Sequence, residues 1–325
     1  MLFKEYHETF HTQNYFYPVF NRYGQMIAED LGCGKTNSTD REQVECLQNN
    51  VAVNDILTMP RRYSIDSPIG PQAVIDHNFL PDTPKMMMVM GQYNQNVDIL
   101  LGCNRDEGLQ FTAPIYNNNS IATQWKEEWK EWRGYMYMLG LDKDDIDEEQ
   151  ANRLDAIDNF YLGDLEFMSF ENVTEITKMF TDSWYCYSGY DFISRHIANV
   201  KENNTYQYLY THSGENSLPT LGHRKYAGPY GVAHGDELFL QFHPFLNNAV
   251  VLNDNDSAMS ELLVSLWKNF IKNGDPSTTG TSWEPIVDGN DRKYLHLNES
   301  AIMEDSNEIK QRMTFWDNLM NKFYD

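Results

Sequence analysis

The sequence predicts an α/β fold, a mostly parallel sheet flanked by helices. Three observations carry this. Val97-Asp98-Ile99-Leu100-Leu101-Gly102 is a short apolar run between turn formers, as in a strand buried on both faces. Tyr206-Gln207-Tyr208-Leu209-Tyr210-Thr211 is rich in tyrosine and alternates, as a strand does. Between the two lies a long stretch, about 120 to 200, with mostly helical patterning. Strands separated by helices pair in parallel, with the helices covering the faces of the sheet.

The elements follow in chain order. Val19, Phe20, Tyr23, Met26, Ile27 and Leu31 recur at helical spacing, and Gly32 follows as a stop. Residues 60 to 84 are dense in proline and turn formers and read as a long ordered loop. Trp125, Trp129 and Trp132 stand at i, i+4 and i+7, so they share a helix face. That face either lines a cleft or packs on a neighbouring helix. Asp142 to Glu149 is an acidic helix start favoured by the dipole, followed by Leu154, Ile157 and Tyr161 on one face. It does not match a calcium loop: Ile146 takes a ligand position and no glycine stands sixth. Ser257 to Lys272 is amphipathic, with Met259, Leu262, Leu263, Leu266, Trp267, Phe270 and Ile271 as its stripe. Asn273-Gly274 ends it. A last helix is predicted from about Asn307 to Phe323. No repeat or composition shift marks a linker, so residues 1–325 read as one domain.

Composition narrows the function. The 325 residues are 41% hydrophobic and 14% aromatic, which is the make-up of a packed protein. A net charge of −23 disfavours nucleic acid and anionic membrane as partners. No apolar run approaches the ~20 residues of a membrane span, and no signal peptide is visible at the start. Four cysteines without CxxC spacing disfavour zinc. Cys33 and Cys46 bracket a polar loop, which fits either a disulfide or two buried thiols. Six N-x-[ST] sequons, at Asn37, Asn118, Asn172, Asn203, Asn255 and Asn298, favour glycosylation and an extracellular or secreted origin, and with it the disulfide.

Two motifs carry chemistry. Leu100-Leu101-Gly102-Cys103-Asn104-Arg105-Asp106-Glu107-Gly108 ends an apolar strand on a carboxylate. Gly231-Val232-Ala233-His234-Gly235-Asp236-Glu237 puts His234 in a glycine-flanked loop. A serine nucleophile needs a histidine base, and the histidine needs a carboxylate to fix its tautomer. Acid before base is the chain order of the α/β-hydrolases. Asp236 and Glu237 read as charges at a helix start.

On these residues the chain resembles the type-B carboxylesterases and cholinesterases, over about residues 17 to 320. Cys33 to Cys46 resembles that family's small disulfide loop. Phe79-Leu80-Pro81-Asp82-Thr83-Pro84 is similar to its "FLPDTP" stretch, and Phe315-Trp316-Asp317 to its "FW" helix. The resemblance implies the C-terminal part of an α/β-hydrolase fold, hydrolysing a small carboxylic ester without a cofactor. Glu107 is then the triad acid and His234 the base. The family's G-E-S-A-G nucleophile and its glycine-rich oxyanion segment belong upstream of Leu31-Gly32-Cys33, and no G-x-S-x-G occurs in this sequence. The chain alone is therefore expected to be inactive, with an unpaired sheet edge where the other half would lie. A non-catalytic adhesion or binding ectodomain of the same fold is the alternative. Met313 stands where cholinesterases place the partner of a late cysteine, so Cys186 is expected as a buried free thiol.

Overall fold

The structure is a computed structural model that describes residues 24–25, 27–34, 38–58, 75–113, 119–137, 139, 141, 146–165, 172–200, 202–217, 231–242, 252–289 and 292–321. The chain divides into two compact units, one of residues 1–8, 87–129 and 148–325, the other of residues 9–86 and 130–147.

The larger unit is built on a four-stranded sheet ordered β1 (Ile99–Asn104), β2 (Thr205–Tyr210), β3 (Tyr294–Leu297) and β4 (Ala301–Glu304). The first two pairings are parallel and the last antiparallel. Two strands were foreseen within two residues of their observed limits. The β3–β4 hairpin was not, because each of its strands is only four residues long. Its turn is closed by the Asn298 amide donating to the Ser300 carbonyl. Among the described residues β1 lies at the outer edge of the sheet.

Alternation sorts the strands onto two faces. Leu100, Tyr206, Tyr208, Tyr210, Leu295 and Leu297 point to one, where Met259, Leu263, Leu266, Trp267 and Phe270 of helix Asp254–Asn273 cover them. Asn253 caps this helix, and Gly274 ends it in the left-handed region at φ 71°. Ile271, assigned to the apolar stripe, is 68% exposed, because the buried arc closes at Phe270. Leu101 points to the other face with Ile193, Ile286 and Phe192. Helix Tyr187–Asn199 lies there, and a Cβ on its Gly189 would come within 2.7 Å of the Leu101 side chain. Helices on both faces make the three-layer α/β arrangement that the sequence predicts.

The long β1–β2 crossover is helical. It runs through Leu109–Thr112, Asn119–Met136, Glu148–Leu162 and Val173–Thr181, then one π turn, Asp182–Cys186, before Tyr187–Asn199. Trp125 and Trp129 meet Phe180 edge-on at 6.0 Å, and the Trp129 indole donates to Asp158, so these two tryptophans pack against a helix. The Trp132 side chain lies outside the described residues. Helix Asn307–Asn321 is held to the π turn by Arg312, whose guanidinium donates through two nitrogens to Asp182 at 2.7 and 2.6 Å. Tyr161 donates to the same carboxylate and accepts from the Trp316 indole.

In the smaller unit Cys33 and Cys46 form a disulfide. Residues 27–30 are helical, and Gly32 turns the chain at φ 76°. Thr39 then starts helix Asp40–Asn50 through a capping box with Glu42. Residues 24–25 are helical as well, while residues 19–23 and 26 of that segment and residues 60–74 of the proline-rich loop lie outside the described residues.

One expectation is corrected. Cys186 is not a free thiol: it is bonded to Cys103 across 83 residues of sequence. The crossover returns the π turn against β1, a long-range contact that cysteine spacing cannot reveal. Of the sequon asparagines, Asn172 is 1% exposed at the start of helix Val173–Thr181. Asn203 donates its side-chain amide to the Gln95 carbonyl, whereas Asn255 is exposed and Asn298 sits in the β3–β4 turn. Asn37 and Asn118 lie outside the described residues.

Candidate active site

The site forms where β1 ends. Asn104 is the last residue of the strand, and the chain turns over residues 105–108 into a short helix. The Arg105 amide donates to the Tyr210 carbonyl and the Asp106 amide to that of Val232, which anchors the turn to β2 and to the histidine loop. Only glycine fits after the acid: a Cβ on Gly108 would lie 2.2 Å from the Thr177 carbonyl. Gly102 is required for a similar reason, because a Cβ there would lie 2.3 Å from the Tyr208 carbonyl.

Glu107 is 1% exposed, and both its oxygens are engaged. Oε1 accepts from the Asn104 backbone amide at 2.6 Å, and Oε2 accepts from His234 Nδ1 at 2.7 Å. The two residues that the motifs single out, 127 apart in sequence, therefore meet in one charge-assisted hydrogen bond. The bond places the proton on Nδ1 and leaves Nε2 as an acceptor. His234 is about a quarter exposed, so the carboxylate is dry while the imidazole reaches solvent. Burial, with the Glu107 charge adding to it, pushes the Tyr208 phenol far up and keeps it neutral beside the pair.

The loop that carries His234 is held by three carboxylates. Asp106 Oδ2 accepts from the Val232 amide at 2.8 Å, and Gly231 passes it at φ 135° with no room for a side chain. Asp236 Oδ2 accepts from the Ala233 amide at 2.7 Å and from the Ser217 hydroxyl at 2.8 Å. Glu237 Oε2 accepts from the Asn104 side-chain amide, which also donates to the Ala233 carbonyl, both at 2.7 Å. Asp236 and Glu237 are thus buried acceptors inside the site and not solvated charges at a helix start. The helix that follows them, Leu238–Gln241, has only four residues. Their neighbour Gly235, at φ 78°, is the one local signal of a folded-back loop.

Gly102, Cys103, Glu107, Tyr185, Cys186 and His234 line an open cleft. The Tyr185 ring lies 4.6 Å from the imidazole, tilted by 32°. The sequence reading did not single out Tyr185 and took Cys186 only for a buried thiol, because nothing local marks the π turn that carries them. No cluster of three metal-ligating side chains occurs among the described residues. Nor is any described helix long and apolar enough to cross a membrane.

A three-layer α/β frame with a Glu–His pair on loops at the carboxyl ends of adjacent strands is the architecture of an α/β-hydrolase. A sequence profile of the Carboxylesterase family matches residues 12–316, and the chain belongs to that family. It is 29% identical over 275 residues to Esterase FE4 of Myzus persicae, covering 81% of this chain and 46% of the relative. Venom carboxylesterase-6 of Apis mellifera is 26% identical, with 89% and 52% covered. Neuroligin-2 of Rattus norvegicus is 24% identical, with 91% and 35% covered. Among solved structures, juvenile hormone esterase from Manduca sexta, with OTFP covalently attached, superposes with a TM-score of 0.71 at 17% identity. It covers 94% of this chain and 57% of that one, and it shares the fold. The chain spans about half the length of the curated esterases it matches.

Proposed function

We propose that Glu107 and His234 are the acid and base of a serine carboxylic ester hydrolase whose nucleophile and oxyanion donors lie outside these 325 residues. The observation that carries this is the 2.7 Å bond from His234 Nδ1 to a dry Glu107 carboxylate, with the other ring nitrogen left to take a proton. In that role Nε2 accepts the serine proton as the hydroxyl attacks the ester carbonyl. Glu107 stabilises the imidazolium, which then protonates the leaving alcohol. Two disulfides fit an oxidising, extracellular setting. Loss of the nucleophile removes on the order of 10⁶-fold of rate, so the 325-residue chain by itself is inactive.

The likeness to Neuroligin-2 supports a second reading, a non-catalytic binding ectodomain. The Glu107–His234 bond favours the first, since binding does not call for a tautomer-fixed histidine in an open cleft. Fluorophosphonate labelling separates them. The native product, captured with an antibody to this chain, should take one adduct on a serine outside residues 1–325, and the isolated chain none. A folded native product that takes no adduct supports the binding reading. An adduct within the 325 residues overturns the assignment of the nucleophile.

A further inference from the structure

We propose that Tyr185 is a positioning residue for His234, held against the imidazole by the Cys103–Cys186 disulfide on one side and by Gln110 on the other. The inference rests on the reading of His234 as a base and adds how its ring is kept in place. Glu107 fixes the imidazole through one nitrogen, which leaves the ring free to swing about that bond. Tyr185 supplies the second constraint: its ring covers a face of the imidazole at 4.6 Å. Tyr185 is itself tied at two points. Its hydroxyl donates to Gln110 Oε1, three residues beyond Glu107. Its neighbour Cys186 is bonded to Cys103, four residues before Glu107. The acid turn and the tyrosine are thereby parts of one closed circuit through β1, the disulfide, the π turn and Gln110. The single π turn between two α-helices fits such a role, since wider turns of this kind recur at functional sites. The arrangement also has a charge preference. An aromatic face attracts a cation, so it favours the imidazolium that proton transfer creates.

The test reads His234 directly and needs no serine. The full chain, labelled with ¹⁵N-histidine, is observed by NMR beside its His234→Gln variant, which assigns the signals. The unsubstituted chain should show a low-field Nδ1 proton that is lost in Glu107→Gln, and carbon-bound ring protons shifted upfield by the tyrosine. Tyr185→Leu, with far-UV circular dichroism unchanged, should abolish the upfield shift and speed exchange of the Nδ1 proton until its signal broadens away. Tyr185→Phe and Gln110→Ala keep a ring but lose the tether, so each should show a smaller change of the same sign. Cys103→Ala/Cys186→Ala should move the signals in the same direction. Gln110 is exposed, so its variant serves where Tyr185→Leu does not fold. A Nδ1 signal that is present but indifferent to Tyr185 and Gln110 overturns the positioning role alone. An unsubstituted chain without that signal overturns the Glu107–His234 pairing itself. Signals unmoved by removal of both cysteines overturn the part assigned to the disulfide.

Discussion

Asn104→Asp replaces one atom group with another of equal size and converts a buried, hydrogen-bonded junction of the site into a conflict. Asn104 is fully buried, and its amide donates at 2.7 Å to both Glu237 Oε2 and the Ala233 carbonyl. An aspartate there sets two carboxylates at that separation. Two unit charges 2.7 Å apart repel by about 6 kcal/mol at an effective dielectric of about 20. The pair has a cheaper escape, which is to hold one proton between them. For a carboxyl with an unfolded pKa near 4, keeping that proton at pH 7 costs about 4 kcal/mol, falling by about 1.4 kcal/mol per unit as the pH drops. The pair's folded pKa is raised above the unfolded value. Stability relative to the parent is therefore retained below about pH 4 and lost as the pH rises. A residual loss of about 1 kcal/mol persists at low pH, because the bond to the Ala233 carbonyl is gone. The assay is urea denaturation of parent and variant across pH 4.5 to 7, read as their difference so that the self-repulsion common to both cancels. Asn104→Leu, which loses the same bonds without adding a charge, should show a shallower dependence on pH, since only the Glu237 carboxylate loses a donor. A flat difference for Asn104→Asp, or one that grows on acidification, refutes the placement of Glu237 against Asn104.

Other predictions follow from single contacts. Arg312→Met strands the fully buried Asp182 carboxylate and should lower stability by about 3–5 kcal/mol in the same assay, with Asp182→Leu/Arg312→Met less destabilised than the single change. Gly102→Ala drives a methyl into the Tyr208 carbonyl and should destabilise by about 1–3 kcal/mol or more, with a lower urea midpoint. Burial holds the pKa of His196 below the ordinary histidine value, so its contribution is intact above about pH 6.5 and declines as the pH falls; His196→Leu should flatten that part of the stability–pH curve. The chain-entropy model assigns about 4.5 kcal/mol to the bridge that closes 83 residues and about 3 kcal/mol to the one that closes 13, so Cys103→Ala/Cys186→Ala should lower the melting temperature more than Cys33→Ala/Cys46→Ala.

What could be read in the sequence was local or motif-bound. Leu100 and Leu101 declare a strand buried on both faces, and the stripe of helix Asp254–Asn273 declares which of its own faces is buried, though not which side of the sheet it meets. Glu107 and His234 are legible only together, since either alone is an ordinary polar residue at a glycine. The rest of the site depends on contacts that no local pattern encodes. Cys103 and Cys186 lie 83 residues apart, with four helices between them among the described residues, and become neighbours only because a parallel crossover must return over the sheet. Asp236 and Glu237 carry the composition of a solvated helix start, and what buries them is the amide of Asn104 and the Ser217 hydroxyl.

This division has a chemical reason. A catalytic pair needs particular atoms, so it leaves a signature of residue types. The groups that aim the pair need only to be buried, satisfied and of the right shape, and many residue types can meet that demand. In this chain the aim is over-determined. Asp106 holds the histidine loop from the acid turn, Asp236 folds the loop onto itself, and Asn104 joins the loop to the strand that carries Glu107. The Asp106 and Asn104 bonds tie the histidine loop to the segment that carries Glu107, and the Asp236 bond holds the loop's own shape. Loss of any one should loosen the pair without separating it, whereas the Glu107–His234 bond has no substitute. Substitutions in the supporting carboxylates should therefore shift stability first and the His234 signals second, the reverse of Glu107→Gln.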